Sequence, residues 1–131
     1  MKIESNKTTV NAPVKDVFKF LSNAANLEAI LPKEEIKEFS GSENQCSFKV
    51  QGGITISLIQ ETLNENQKIT MKSGEKSPFP FKLDINMDEK DGKTEGYIVF
   101  DGEVNSFLKM MVKKPLTNLF NYMSNALGKQ F

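Results

Sequence analysis

Over the last part of the chain, from Val104 to Leu127, apolar side chains return with the spacing of a single α-helix: Phe107, Leu108, Met111, Leu116, Leu119, Phe120, Met123 and Leu127. Asn105 is placed to cap its start and Gly128 to end it. At 1.5 Å per residue the segment spans about 36 Å. No other stretch has that length, so the rest of the chain must fold into something this helix can cover. Pro115 falls in its middle, where the ring removes one hydrogen bond and crowds the preceding turn, and predicts a kink within a residue or two.

Ahead of this helix the pattern changes to strands. Between Glu34 and Asp101 turn residues recur at short intervals, at Gly41-Ser42-Glu43-Asn44, Gly52-Gly53, Asn64-Glu65-Asn66 and Asp91-Gly92. Six strands are predicted between them, near 34 to 40, 45 to 51, 54 to 63, 67 to 73, 81 to 88 and 93 to 101. Phe81, Leu83, Ile85 and Met87 alternate with Lys82, Asp84, Asn86 and Asp88, so that strand is buried on one face and wet on the other. Cys46, Phe48 and Val50, then Ile54, Ile56 and Leu58, then Ile69 and Met71, then Ile98 and Phe100 continue the apolar face. A seventh strand, Lys2 to Asn11, comes first. Its Ile3 and Val10 lie on opposite phases and require a bulge between them if both face inward. Seven strands about 4.8 Å apart make a sheet about as wide as the last helix is long. The fold class is α+β, a seven-stranded curved antiparallel sheet around a long C-terminal helix, with two short helices between strands 1 and 2.

Those short helices are read from a change of period. Val14, Val17, Phe18 and Leu21 follow i, i+3, i+4, i+7, with Pro13 suited to the first turn. Ser22 is placed to cap a second helix, with Ala24, Leu27, Ile30 and Leu31 inside and Pro32 as its stop. One connection, Ser73 to Pro80, is too long for a tight hairpin and holds Phe79 between two prolines. Phe79 is either a lid on the rim of a pocket or a plug closing one end of the core.

At 131 residues the chain is long enough to bury one real core without staples, and we read 1–131 as a single domain. Seventeen basic and seventeen acidic residues leave no net charge, so no overall field draws the protein to nucleic acid. Cys46 has no partner for a disulfide, which points to a reducing compartment. No segment has the apolar run of a secretion signal or of a membrane span, and the expected location is cytoplasmic, without integral membrane association. Oligomeric state is not legible.

With no histidine, the chain has no Ser-His-Asp or Cys-His arrangement and no imidazole ligand for a metal. No glycine-rich phosphate-binding pattern occurs. Neither a metal nor a cofactor is expected, and no catalytic residue is assigned. Cys46, beside Phe48 on the apolar face, reads as a buried structural thiol. Asp84 and Asp88 read as solvated, and Glu61 would be a candidate general base only if it faced inward.

The covering helix raises another possibility. A kinked helix over a curved sheet does not close tightly everywhere, and that mismatch predicts a cavity. The chain has ten Phe and six Met, of which six Phe and four Met fall between Phe79 and Phe131; they would give it a soft lining, although they serve equally as ordinary core. Its expected walls are Phe48, Ile56, Leu58, Met71, Phe79, Phe81, Leu83, Ile85, Ile98 and Phe100 from the sheet side, and Phe107, Met111, Leu119 and Met123 from the helix. Gln60 and Ser73 share the apolar phase, as do Thr62 and Thr94, and either orient a ligand's polar group or bond one another. Lys109, Lys113 and Lys114 form either a solvated face or a contact for an anionic head group.

The order of elements, the stretch Val10-Asn11-Ala12-Pro13-Val14-Lys15-Asp16-Val17-Phe18-Lys19-Phe20-Leu21-Ser22-Asn23, its sequel Leu27 to Pro32, and the run from Phe100 to Met111 resemble the START-like, or SRPBCC, superfamily with its helix-grip fold. The resemblance extends over essentially the whole chain. It implies a deep apolar cavity between sheet and last helix, in a superfamily that includes lipid carriers, polyketide cyclases and co-chaperones; no subfamily's motif is matched. The first expectation for function is non-enzymatic binding or transport of a small hydrophobic molecule, lipid or polyketide-like. A cyclase- or dehydrase-type enzyme, on the resemblance alone, and a protein- or membrane-interaction module are the alternatives.

Overall fold

Asp91 and Gly92 both take positive φ, 54° and 78°, the geometry of a two-residue hairpin whose twist matches the strands it joins. They set the register of the longest pair in the sheet, β7 (Phe81–Lys90) and β8 (Lys93–Gly102), from Lys90 opposite Lys93 to Phe81 opposite Gly102. The computed structural model describes residues 1–50 and 52–131. The remaining strands are β1 (Lys2–Glu4), β2 (Thr8–Val10), β3 (Lys37–Gly41), β4 (Gln45–Lys49), β5 (Thr55–Asn64) and β6 (Lys68–Ser73). They form one antiparallel sheet in the order β1-β8-β7-β6-β5-β4-β3, with β2 also on β8. The last residue of the predicted strand 45 to 51 lies outside the described residues.

The first lane is a correction to the sequence reading. One strand from Lys2 to Asn11 was expected, and two short strands stand there, with a break at Ser5 to Lys7. The break is what lets Ile3 and Val10 both turn inward, at 5% and 0% exposure, despite their opposite phases. Its backbone is satisfied by hydroxyls and an amide. Ser5 Oγ accepts from Ile98 N at 2.8 Å, Asn6 N donates to Asn121 Oδ1 at 2.8 Å, and Ser124 Oγ donates to Asn6 O at 2.6 Å.

The two short helices are present, shifted in detail. The first, α1 (Val14–Leu21), buries Val14, Val17 and Leu21. Pro13 stands just before it, in extended conformation, at the capping position. The second is a 3₁₀ segment, Ala24–Ile30. Asn23, not Ser22, caps it by accepting from Ala25 N, because Ser22 Oγ already donates back to Phe18 O at 2.6 Å.

The long helix α2 runs from Ser106 to Gln130 with Asn105 as its N-cap, the side chain accepting from Leu108 N. It continues through Pro115 and past Gly128, so Gly128 is not its terminator. The glycine has a packing reason instead. A Cβ there would collide with Thr8 Oγ1 and come within 3.3 Å of Thr9 O, so its absence lets the last turns of α2 lie directly on β2. Gly128→Val should therefore destabilise the fold by about 1–3 kcal/mol, the usual cost of overpacking. Urea unfolding of the two proteins measures this, and an unchanged midpoint would mean that the helix end is not held against β2.

Candidate functional site

The inner face of the sheet is built by cross-strand neighbours of the β ladders. Leu83 stands opposite Phe100 and Met71, Ile85 opposite Ile98 and Ile69, Phe48 opposite Ile56, and Cys46 opposite Leu58. All are buried. From the other side α2 contributes Val112, Leu116, Leu119, Phe120, Met123, Ser124 and Leu127. The two walls meet through aromatic rings. Phe100 lies 5.2 Å from Phe120 and 5.0 Å from Phe81, centroid to centroid. Phe79 stands edge-on to both Phe81 (6.0 Å) and Phe100 (6.3 Å), distances at which such pairs add to the stabilisation of simple burial.

Twelve of the expected wall residues therefore come together: Phe48, Ile56, Leu58, Met71, Phe79, Phe81, Leu83, Ile85, Ile98, Phe100, Leu119 and Met123 are buried at 5% exposure or less. Phe79 acts as a plug at one end of the core. Its loop is tied down by Ser77 Oγ, which accepts from Ser57 N at 2.9 Å and donates to Ser57 O at 3.2 Å.

Phe107 and Met111 are the correction on the helix side. They are 71% and 57% exposed, on the outer side of α2 instead of its buried side. Val112 takes the inward place, and the inward row is 112, 116, 119/120, 123, 127. That row is itself at helical spacing, but the first half of α2 carries apolar residues on two faces, and periodicity cannot choose between them.

The polar candidates are committed to the protein. Gln60 is half-buried on the inner phase opposite Met71, and its Nε2 donates to Ser22 O, tying β5 to the junction after α1. Ser73 Oγ accepts from Phe81 N at 3.1 Å, and Thr94 Oγ1 donates to Ala12 O at 2.9 Å. Thr62, extrapolated as inward, is exposed, because the ladder shifts by one residue between Gln60 and Thr62 and reverses the phase of β5. Glu61, at that shift, points outward and pairs with Lys82 at 2.9 Å. It is no buried base.

Among the described residues the buried ionisable side chain is Cys46, whose thiol desolvation pushes from 9.0 up to about 12. The other buried polar side chains are Ser5, Thr94 and Ser124, each hydrogen-bonded to backbone. The interior is thus apolar and uncharged.

A deep cavity was expected in that interior, and side chains fill the space instead. The described clefts lie elsewhere, such as one of about 710 Å³ between the 3₁₀ segment and β3, lined by Ala29, Leu31, Ile36 and Phe39 among others, and one of about 920 Å³ beside α1 and the β5–β6 turn. None of the described clefts is lined by Phe100, Phe120, Met71 or Met123. The reason is packing volume: Phe79, Phe81, Phe100 and Phe120 occupy the gap that the helix leaves over the sheet.

The Cys46 thiol gives a pH prediction. Between about pH 9 and 12 the unfolded chain loses the thiol proton while the native one keeps it, so unfolding free energy falls as pH rises through that window. Cys46→Ala should have a shallower decline over the same range in chemical denaturation, and the native wild-type thiol should resist a disulfide reagent at pH 8 until the protein is unfolded. Rapid labelling of the folded chain would contradict the burial.

Solved structures supply the comparison. A START superfamily protein from Mycobacterium smegmatis is 16% identical, with a TM-score of 0.70 over 98% of this chain and 95% of that one. A protein from Thermus thermophilus is 12% identical with a TM-score of 0.72, over 98% and 95%. An uncharacterized protein from Bacillus thuringiensis is 14% identical with a TM-score of 0.65, over 97% and 98%. No family model and no curated protein matches the sequence. Agreement of the backbone along nearly the whole length gives the chain the START-like, helix-grip fold, with no subfamily specified.

Proposed function

We propose that the protein binds a small hydrophobic molecule, lipid or polyketide-like, between the sheet and α2, without catalysing a reaction on it. The observation that carries this reading is the unequal anchoring of the one covering helix. Of its first ten residues, 106 to 115, Val112 is buried and Leu108 partly so, whereas its second half buries Leu116, Leu119, Phe120, Met123, Ser124 and Leu127. A wall held at one end can move at the other, and the space behind it is apolar, with Met71 and Met123 as side chains able to repack around a guest. Pro115 marks the boundary between the two halves, where the carbonyl of Met111 lacks its usual helical donor. The guest enters by displacing Phe and Met side chains packed between the sheet and α2.

The cyclase-type alternative requires an ionisable group inside, beside a second polar group. Cys46 sits among Phe48, Ile56 and Leu58 with its proton tightly held, and no observation favours that alternative.

Native mass spectrometry of the protein purified from its own organism tests the reading. A bound small molecule, released on denaturation, is the expected result. Hydrogen exchange of amides 106 to 115 should then be slower in the loaded protein than in the stripped one. Protein that is empty as isolated, and whose exchange and melting temperature do not respond to added fatty acid or isoprenoid, would end the proposal.

A further inference from the structure

The exposed side of the first half of α2 has a composition unlike the rest of the surface. Phe107, Met110 and Met111 are 71%, 85% and 57% exposed. At 3.6 residues per turn they fall, with Lys114, in a wedge of about 100° on the side away from Val112. Lys113 lies about 60° from one edge of the wedge and Lys109, one turn before it, about 100° from that same edge, and Lys109, Met110, Lys113 and Lys114 line one shallow outward hollow. Adjacent exposed side chains of this size on a water-facing helix are uncommon unless something covers them.

Charge says what covers them. The chain is neutral as a whole, but four of its seventeen basic residues and none of its seventeen acidic ones lie on α2, leaving thirteen against seventeen elsewhere. None of the described ion pairs uses an α2 lysine. The surface that complements this helix is therefore negative and accepts apolar side chains. A second copy meeting it face to face would set lysines against lysines. A nucleic acid would leave Phe107 and Met110 against phosphates, and the chain has no arginine with which to grip them in two-pronged fashion. A protein partner would need a groove to receive this convex apex. An anionic bilayer needs none, since head groups meet the lysines while the acyl boundary takes the apolar tips.

We propose that the N-terminal half of α2 docks the protein on membranes containing anionic lipid, with Phe107 and Met110 entering the acyl boundary and Lys109, Lys113 and Lys114 among the head groups. The docking stands whether or not the interior binds a molecule. Each lysine near such a surface strengthens binding roughly fivefold, and the attraction weakens with added salt.

Co-sedimentation with vesicles of phosphatidylcholine, alone or mixed with phosphatidylglycerol, tests it. The full chain should sediment with the mixed vesicles and not with the neutral ones. The triple variant Lys109→Glu, Lys113→Glu, Lys114→Glu should lose binding by on the order of 100-fold or more, while Lys129→Glu, at the other end of the helix, should bind nearly as the wild type does. Phe107→Ser with Met110→Ser should weaken binding even at low salt, where electrostatics alone would hold. All substituted side chains are exposed, so folding is preserved and circular dichroism confirms it. Failure to sediment with the mixed vesicles, or binding untouched by both the triple and the double variant, overturns the proposal. So does a wild-type dimer in size-exclusion chromatography that Phe107→Ser with Met110→Ser dissolves, since the patch would then be covered by a second copy.

Discussion

The contact between Phe100 on β8 and Phe120 on α2, with rings 5.2 Å apart, is the point through which the two halves of the molecule hold each other. An antiparallel sheet with one apolar face needs a cover, and here that cover is α2 together with the short helical segments that follow the first lane. Phe100 is fully buried and also touches Phe81 and Phe79, so the same ring joins the helix, the central strands and the loop that closes one end of the core. Removing so large a buried ring typically costs about 3–5 kcal/mol, a large share of the stability of a domain this size.

From that contact the two ends of α2 diverge. Toward its C-terminus Gly128 brings the helix against Thr8 and Thr9, and Asn121 and Ser124 bond the backbone of Asn6 where the first lane is broken. The break in the strand and the polar residues on the helix are one device: the chain interrupts its ladder to bury both Ile3 and Val10, and α2 supplies the missing partners. Toward its N-terminus the helix carries Phe107, Met110 and Met111 outward and holds on by Val112 and the partly buried Leu108. Both functional proposals rest on this asymmetry, one on the mobility it allows and the other on the surface it exposes.

Much of the architecture was legible because it follows from local periodicity and turn chemistry. The Asp91-Gly92 hairpin, the alternation of Phe81 to Met87 and the spacing of Val14 to Leu21 each depend on neighbours within a turn or two. Of the expected site, the sheet wall was readable for the same reason. Thr62, Phe107, Met111 and the role of Gly128 were misread because each depends on a distant partner, whereas the N-cap of the second helical segment turned on a local competition, Ser22 Oγ being taken by Phe18 O. A ladder shift against β6 turned Thr62 outward, and a strand far away in sequence made Gly128 a point of close approach instead of a stop.

The sequence by itself determined the element types, the apolar face of the central strands, the reach of the last helix, and the lack of any imidazole for catalysis or metal binding. Only the tertiary structure decided which of the two apolar faces of α2 turns inward, that the polar residues near the core are spent on backbone groups, and that the interior is filled by phenylalanine instead of standing open. The physical reason is that period and propensity are properties of a few consecutive residues, whereas burial, register and cavity volume are settled by residues brought together from opposite ends of the chain.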